Sequence, residues 1–495
     1  MPNTFAYVML FAWPLVALVL FQRLPLPKAL IWTILGGFLI LPSNMGIKLP
    51  MIPEINKALV PSLSAAVLCL IYAPRQAPTA SPSPGGRMLI LGLLVLLVLS
   101  PVLTVLQNAE PIPFGPRILP GLRLYDAFSM ISGMIVMILP FLLGWRHLAT
   151  AEAQRMVLQA FVLGALAYSL PALFEIRMSP QLNNWVYGYF PHSFIQHIRA
   201  GGFRPLVFLN HGLMLGTFLA MAILAALALW RQARREGGAA GRWLLAAVWL
   251  AMTLVLSKNV GALVITLALA PLVALTGARL QLAAAAVIAC IVLCYPVLRG
   301  AGLVPVEDIH EIALSFSEER AQSLKFRLDN EDALLDHANR KPFSGWGSWG
   351  RNMLFDPETG GELSVLDGMW VILIGVYGWP GYLAHFGLLT LPILMMALRR
   401  RRFAQTRIVP GLALVLGVTL IDLLPNAGLV AHVWLIAGAL AGHVLQARDE
   451  AAAPPTATPA PGRRRPPAEP KTLPAGPRRR APPAGAAALP RRRGR

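Results

Sequence analysis

Long uninterrupted apolar blocks constrain this sequence more than any other feature. The block "MLILGLLVLLVLSPVLTVL" (Met88–Leu106) is one of them, and it contains no charged residue. About 20 such residues cross the hydrocarbon core of a bilayer as a helix. Charged residues make up 13% of the chain, against roughly 25% in soluble domains. The sequence therefore predicts an all-α, polytopic membrane protein.

Basic residues between the apolar blocks predict its orientation. The two most basic loops are "RQARREGGAAGR" (Arg231–Arg242) and "RRRRFAQTR" (Arg399–Arg407), and short basic loops stay in the cytoplasm. Starting from these loops, the pattern predicts about 13 spans with the N-terminus outside, or 12 if the first block lies in the interface. The same pattern places the hydrophilic stretch 298–365 outside, together with three shorter loops: 42–57, 108–125 and 176–205.

Composition divides the chain into four expected parts. They are a transmembrane bundle at 1–297, an outer loop domain at 298–365, C-terminal transmembrane helices at 366–446 and a tail at 447–495. From Arg463 onward the tail carries eleven Lys or Arg against Glu469 alone. Such a Pro/Ala/Arg-rich tail cannot bury a core, so we expect it to be disordered in the cytoplasm and attracted to anionic lipid. No folded reader module accompanies the charge, which argues against nucleic acid as a partner.

One apolar run is too long for a single straight crossing. It extends from residue 366 to 398 and contains "YGWPG" (Tyr377–Gly381) near its middle. Proline removes a backbone donor and kinks a helix, and broken helices at membrane depth line cavities. We expect a half-helix followed by a full span, with a site near Asp367 at its start.

Two short basic motifs lie at predicted outer ends of spans. "GGFRPLVFLNHGLMLG" contains Arg204 and His211, and "VLSKNVGALVI" contains Lys258. Each cation either snorkels to the interface or binds an anion. His211 is either a satisfied core histidine or a participant in the site.

The outer loop carries the remaining candidate groups. In "SFSEERAQSLKFRLDNEDALLDHANRKPFSGWG" the leucines at 324, 328, 334 and 335 share one side of a predicted helix, and the charges are its solvated face or a site. "DNED" has only loose spacing for a metal. The glycines of "FSGWGSWGRN" allow a tight loop whose N–H groups face an anion, and its tryptophans are membrane anchors or platforms for sugar rings. The candidates in this region are Arg320, Arg327, Arg340, Trp346, Trp349, Arg351 and Asp367.

The absence of several nucleotide, nucleophile, metal and haem motifs narrows the range of reactions expected of this chain. The sequence contains no GxxxxGK[ST] loop, no serine nucleophile elbow, no HExxH and no CxxCH. We therefore expect neither a metal nor a cofactor. A cationic outer site without nucleotide suits a substrate that brings its own activated bond, such as a lipid diphosphate.

The combination "FRP…F.NHG", "LSKNVGAL" and "R…L…A..RP..GWG.WG" before a kinked span resembles the O-antigen ligase and O-antigen polymerase superfamily. The resemblance covers about 200–398. It implies a bacterial inner-membrane glycosyltransferase of the helical, GT-C-like class, active in O-antigen or exopolysaccharide synthesis. Such enzymes move a glycan from undecaprenyl diphosphate to an acceptor sugar on the periplasmic face without a metal. The matching basic positions are Arg204, Arg327 and Lys258, where the family more often has Arg after Ser.

One departure from the family pattern affects the mechanism. Ligases place a His at the start of the span after the large loop, whereas this chain has Asp367 in "VLDGMW". Either Asp367 replaces that base, or the chain follows a polymerase-like chemistry, or catalysis has been lost. We expect Asp367 and Arg327 to be catalytic, and the substrate to contact Arg204, His211, Lys258, Arg320, Arg340, Trp346, Trp349 and Arg351. Chain-length or export proteins are possible partners, and the rival functions are a flippase of lipid-linked oligosaccharide and a scaffold.

Overall fold

The computed structural model describes residues 1–49, 52–74, 84–199, 201–316, 318–403, 405 and 407–446. Met1–Arg448 form one compact unit. The tail 447–495, with its predicted disorder, lies outside the described residues.

Helices dominate the first half of the chain. They are α1 (Thr4–Arg23), α2 (Leu26–Ile40), α3 (Leu59–Tyr72), α4 (Pro84–Leu106), α5 (Leu124–His147), α6 (Ala151–Met178) and α7 (Leu182–Tyr187). Three small antiparallel hairpins lie in the connections: β1 (Gly46–Leu49) with β2 (Ile52–Asn56), β3 (Ile112–Phe114) with β4 (Arg117–Leu119), and β5 (Ile198–Arg199) with β6 (Gly202–Phe203).

The second half is also helical. Its elements are α8 (Gly212–Arg235), α9 (Gly241–Leu256), α10 (Val260–Leu275), α11 (Ala278–Gly300), α12 (Val306–Phe316), α13 (Glu318–Asn339), α14 (Met369–Leu398), α15 (Arg400–Phe403), α16 (Ile408–Asp422) and α17 (Ala431–Gln446).

The apolar helices support the predicted class. Within the described ranges, seven helices are long and apolar enough to cross a membrane: α1, α4, α5, α6, α8, α11 and α14. Six shorter apolar helices accompany them: α2, α3, α9, α10, α16 and α17. The predicted all-α, polytopic membrane protein is confirmed at this level.

Four connecting segments meet at one end of the bundle, and we call their described residues loop set A: 41–49 with 52–58, 107–123, 179–199 with 201–211, and 301–316 with 318–368. Asn44 donates from Nδ2 to the Pro191 carbonyl at 2.6 Å, and Lys341 donates to the Gln107 carbonyl at 3.0 Å. Asn44 and Trp349 also line one cavity. These are the segments for which the sequence predicts a common, outer side.

Four other connections meet at the opposite ends of the same helices, and we call their described residues loop set B: 148–150, 236–240, 276–277, and 399–403 with 405 and 407. Arg155 pairs with Glu236 at 3.0 Å. Arg407 donates to the Thr276 carbonyl at 3.0 Å. Arg235 donates to the Gln405 carbonyl at 2.6 Å, so the two loops predicted to be the most cytoplasmic lie together.

Residues 301–368 pack onto the bundle instead of forming a core of their own. Leu334, Leu335 and Ala338 of α13 belong to the same hydrophobic cluster as the membrane helices. Leu328 is buried as well and Leu324 is half-buried, so the predicted apolar side of this helix is confirmed. α11 continues to Gly300, three residues past the boundary predicted at 297.

Candidate functional site

The predicted break in the long apolar run occurs at Gly378. Its φ of 68° and ψ of −176° interrupt α14, and only glycine adopts this region readily. The break divides α14 into a short helix that begins just after Asp367 and a longer one that reaches loop set B. The prediction of a half-helix here is confirmed, and Asp367 lies at the N-terminal end of that half-helix.

The segment "FSGWG" (Phe343–Gly347) satisfies the backbone groups that the break exposes. Trp346 N donates to the Gly375 carbonyl at 2.7 Å and Gly347 N to the Val376 carbonyl at 3.1 Å. In return, Trp379 N donates to the Pro342 carbonyl at 2.8 Å. The interpretation of these N–H groups as an anion nest is wrong for Trp346 and Gly347, because their hydrogens already bond to the broken helix.

Arg351 connects this segment by hydrogen bonds to the connection 107–123. The residue is 3% exposed, and its guanidinium donates to the carbonyls of Trp346, Pro120 and Glu110 at 2.8–3.2 Å. The guanidinium is buried and its N–H groups bond to backbone carbonyls. It therefore stabilises the loop and has few donors left for a substrate. We therefore assign Arg351 a structural role and leave it out of the functional proposal below.

Trp346 is also engaged by its neighbours. Its ring stacks on His337 with centroids 4.4 Å apart, and Lys341 lies over it at 4.6 Å. Its indole N–H donates to the His337 carbonyl at 2.8 Å. Trp346 is thus half-buried in the loop, whereas Trp349 is 55% exposed.

Arg327 and Asp367, the two predicted catalytic residues, form an ion pair. The Nε of Arg327, on α13, lies 3.5 Å from Oδ2 of Asp367. Both side chains are partly exposed, at 41% and 30%, so a substrate can reach them. The N-terminus of the half-helix favours negative charge at Asp367.

A second carboxyl group lies beside this pair. Glu331 is 6% exposed, and Tyr295 of α11 donates to its Oε2 at 3.5 Å. Burial raises the pKa of Glu331 to about 7, and nearby Asp332 and Asp367 act in the same direction against the opposing effect of Arg299. Arg299 itself pairs with Asp332 at 2.9 Å. The sequence placed Glu331 on a solvated helix face, because its burial comes from α11, a distant part of the chain.

The shifted pKa of Glu331 predicts a pH effect on stability. Because the pKa of Glu331 in the folded protein lies above the ordinary glutamate value of 4.5, this group favours the fold fully below pH 4.5 and loses that effect as pH rises to 7. The loss is up to about 3 kcal/mol. We expect Glu331→Gln to raise the melting temperature relative to wild type at pH 8 but not at pH 4.5, measured by tryptophan fluorescence in detergent. The exposed control Glu307→Gln should show no such pH-dependent difference, and a constant difference across this range for Glu331→Gln would contradict the assignment.

Arg204, His211 and Lys258 form a separate contact group. Lys258 donates to the Arg199 carbonyl at 3.0 Å, and its amine packs against Gly202, where the glycine permits the close approach. The aliphatic part of Arg204 packs against Gly212. His211 is the N-cap of α8, and its Nδ1 accepts from Leu213 N at 3.0 Å.

Glu175, a buried carboxyl group on α6, positions this second group. Its two oxygens accept hydrogen bonds from the backbone N–H groups of Leu182, Leu206 and Val207 at 2.7–3.0 Å. Val207 has a φ of +55°, a strained conformation for a β-branched residue. The carboxylate thus fixes the segment between Arg204 and His211. Glu175 is not among the site residues predicted from the sequence, although an acidic side chain inside an apolar helix is itself a signal.

Replacement of Glu175 with Gln is expected to destabilise the protein by about 2 kcal/mol. The amide keeps one acceptor oxygen but sets its NH₂ against a buried N–H donor, and an unsatisfied buried donor costs about 1–3 kcal/mol. A fall in the melting temperature in detergent measures this effect. Glu152→Gln, an exposed position on the same helix, is the control, and equal melting temperatures for the two variants would refute the role.

Three histidines lie together in the same region. His192, His197 and His211 each have one nitrogen within 4.8 Å of the others, and we call them the His cluster. Burial lowers the pKa of His197 to about 4 and that of His211 to about 3, and the neighbouring cation Arg204 adds to both shifts. Of the three, His211 alone was predicted from the sequence, because the other two lie in an irregular loop without helical periodicity.

A cavity lies between helices of the bundle and loop set A. It has a volume of about 980 Å³ and is lined by apolar groups of the bundle together with Lys57, Asn210 and Trp349. Burial lowers the pKa of Lys57 to about 7, and its ammonium donates to Ser43 Oγ at 2.7 Å. Of the predicted substrate contacts, Trp349 alone is among the residues that line this cavity.

The two other predicted contacts stand apart from these groups. Arg340 is exposed at the end of α13. The side chain of Arg320 lies outside the described residues.

No protein-family model matches the chain, and no curated protein matches it.

Proposed function

We propose that the protein is an inner-membrane glycosyltransferase that polymerises or ligates a glycan carried on undecaprenyl diphosphate at the periplasmic face. The observation that carries the proposal is the Arg327–Asp367 ion pair, 3.5 Å long, at the start of a broken helix. An accessible cation and carboxylate side by side suit a reaction in which a diphosphate departs while a hydroxyl loses a proton.

The transfer proceeds with inversion at the anomeric carbon. The acceptor hydroxyl attacks that carbon, and Asp367 takes its proton as general base. The bond from carbon to the diphosphate oxygen breaks, and Arg327 stabilises the negative charge of the departing lipid diphosphate. Diphosphate is a good leaving group, so the step needs no general acid. Binding of the diphosphate to Arg327 displaces the ion pair and frees Asp367 for the acceptor.

The remaining cations and the cavity suit the binding of the two substrates. Arg204 belongs to loop set A and Lys258 donates to the Arg199 carbonyl of the same set, and we assign both cations to the lipid diphosphate. The cavity beside Trp349 combines apolar and polar lining, which suits part of the glycan, because an exposed indole is a platform for a sugar ring. The basic tail then attracts anionic lipid on the other face.

The rival function is a flippase for the same lipid-linked substrate. Transporters of this kind carry charged sites near the bilayer midplane between repeated halves. Arg327 instead lies on α13 and Asp367 just before α14, both at the end of the bundle formed by loop set A. This placement favours chemistry at one face over passage through the membrane.

Deletion of the gene followed by gel profiling of surface glycans tests the proposal. Loss of a polymerase leaves single repeat units on the surface lipid, whereas loss of a ligase leaves long chains on the carrier. A deletion strain with an unchanged surface-glycan profile and unchanged lipid-linked intermediates would refute the proposed function. Accumulation of intermediates on the cytoplasmic face would support the flippase instead.

A further inference from the structure

The His cluster has the composition of a metal site. His192 and His211 have ring centroids 4.8 Å apart, and those of His197 and His211 are 4.9 Å apart. Imidazole nitrogens are good ligands of Zn²⁺ and of its neighbours in the first transition row. Among the described residues, this is the one group of three or more His, Cys, Asp or Glu side chains with this proximity.

His197 provides the independent observation that points to a ligand. The residue is fully buried, and its Nδ1 lies 3.1 Å from the Arg204 carbonyl. A carbonyl only accepts, so Nδ1 carries the proton and Nε2 keeps its lone pair. That Nε2 is buried without a hydrogen-bond partner. A second nitrogen fixed on a carbonyl is the usual support of a metal-ligating histidine.

The backbone around His197 is held firmly. β5 and β6 pair directly after it, and Arg204 N donates to its carbonyl at 2.7 Å. Glu175 fixes the segment that leads on to His211, as described above. His192 is exposed and is therefore free to adjust. Two ligands on a rigid frame and one adjustable ligand can close around an ion.

We propose that His192, His197 and His211 bind one Zn²⁺ ion. Three nitrogens around tetrahedral Zn²⁺ are about 3.3 Å apart, from bonds of about 2.0–2.1 Å, so the present spacing of up to 4.8 Å closes mainly through His192. His211 must exchange its cap bond to Leu213 N for the metal and is the weakest ligand. The fourth position remains for water or a phosphate oxygen.

Positive charge around the His cluster determines which further ligand the proposed metal site requires. The cations Arg199 and Arg204 act on His197 and His211 and disfavour a bare dication, so an anion in the fourth position strengthens binding of the metal. The inference does not rest on the proposed glycosyl transfer. The ion orders the loop against α8, and the transfer step at Arg327 and Asp367 proceeds without it.

Metal content of the purified full chain tests the inference. The protein is isolated in detergent with an affinity tag that lacks histidine, loaded with Zn²⁺ in phosphate buffer, and dialysed before mass-spectrometric metal analysis. We expect about one Zn²⁺ per wild-type chain and less than about 0.1 in His192→Ala and His197→Ala. His310→Ala, on α12, is the matched control and should retain the wild-type content.

A second measurement guards against misfolding of the buried His197 variant. Co²⁺ in place of Zn²⁺ should give the visible absorption of a tetrahedral site in wild type, and His192→Ala, altered at an exposed position, should lose it. Wild-type protein without Zn²⁺ after loading would overturn the inference. So would His192→Ala with the wild-type metal content and absorption.

Discussion

Replacement of Arg327 with Ala is expected to lower the rate of glycan transfer by about 10²–10³-fold, or about 3–4 kcal/mol, by analogy with the loss of one oxyanion donor. The leaving diphosphate loses the guanidinium that stabilises its charge. Asp367→Asn should cause a loss of about 10²–10⁴-fold, because an amide cannot accept the proton of the acceptor hydroxyl. The measurement is transfer from a lipid-linked donor by purified variants, together with surface polysaccharide in cells that contain equal amounts of each variant.

Neighbouring variants separate this effect from general damage to α13. Lys325→Ala removes an exposed cation, paired with Asp329 at 3.3 Å, two residues before Arg327, and should leave transfer unchanged. Arg327→Lys keeps the charge but not the forked donor, so we expect an intermediate rate. Unchanged glycan amount and chain length in both Arg327→Ala and Asp367→Asn would exclude the pair from the mechanism.

Replacement of Gly378 with Ala should have the largest effect on stability. The φ of 68° with ψ of −176° is nearly closed to other residues. An added Cβ would also lie 2.5 Å from the Pro342 oxygen and 2.7 Å from the Phe343 carbonyl carbon. Since these are backbone atoms of the segment that satisfies the broken helix, they cannot move cheaply. We expect a loss of about 3–5 kcal/mol, combining backbone strain with overpacking, measured as a lower melting temperature and a lower yield of monodisperse protein.

Gly92→Ala is the matched control for this substitution. Gly92 lies within α4, and a Cβ there meets open space. Alanine in a helix interior is favoured over glycine by about 0.5–1 kcal/mol, so this variant should be neutral or slightly stabilised. A melting temperature for Gly378→Ala equal to that of Gly92→Ala would contradict the account of the break.

The class of the fold and the break in α14 were predictable because both depend on local sequence. Apolar blocks specify membrane helices through their length, and "YGWPG" combines a proline with two glycines at the point of interruption. The two basic loops identify one end of the bundle by charge alone. Each of these signals lies within about 20 residues.

The roles of individual polar residues were harder to predict because they depend on partners far away in the chain. The N–H groups of Trp346 and Gly347 bond to the carbonyls of Gly375 and Val376, just before Gly378, and sequence patterns do not report such pairings. Glu331 resembles any charge on a solvated helix until Tyr295 of α11 covers it. Glu175 accepts hydrogen bonds from the N–H groups of Leu206 and Val207, which belong to the loop that follows α7.

Arg327 and Asp367 are also distant in the sequence, but both were predicted to be site residues. The two residues are 40 positions apart in the sequence, yet both were singled out, because one lies on the charged helix and the other opens the kinked run. The family pattern, not periodicity, brought them together as a prediction. The structure places them 3.5 Å apart.

The side of the membrane that carries α13 tests the account most directly. In a variant without Cys69, Cys290 and Cys294, one new cysteine replaces Asp336, an exposed residue of α13, and in a second variant one replaces Gln405 of loop set B. A membrane-impermeant thiol reagent applied to spheroplasts should label the first variant at once and the second only after the membrane is opened. Labelling in the reverse order would place Arg327 and Asp367 in the cytoplasm and contradict transfer from a lipid diphosphate at the periplasmic face.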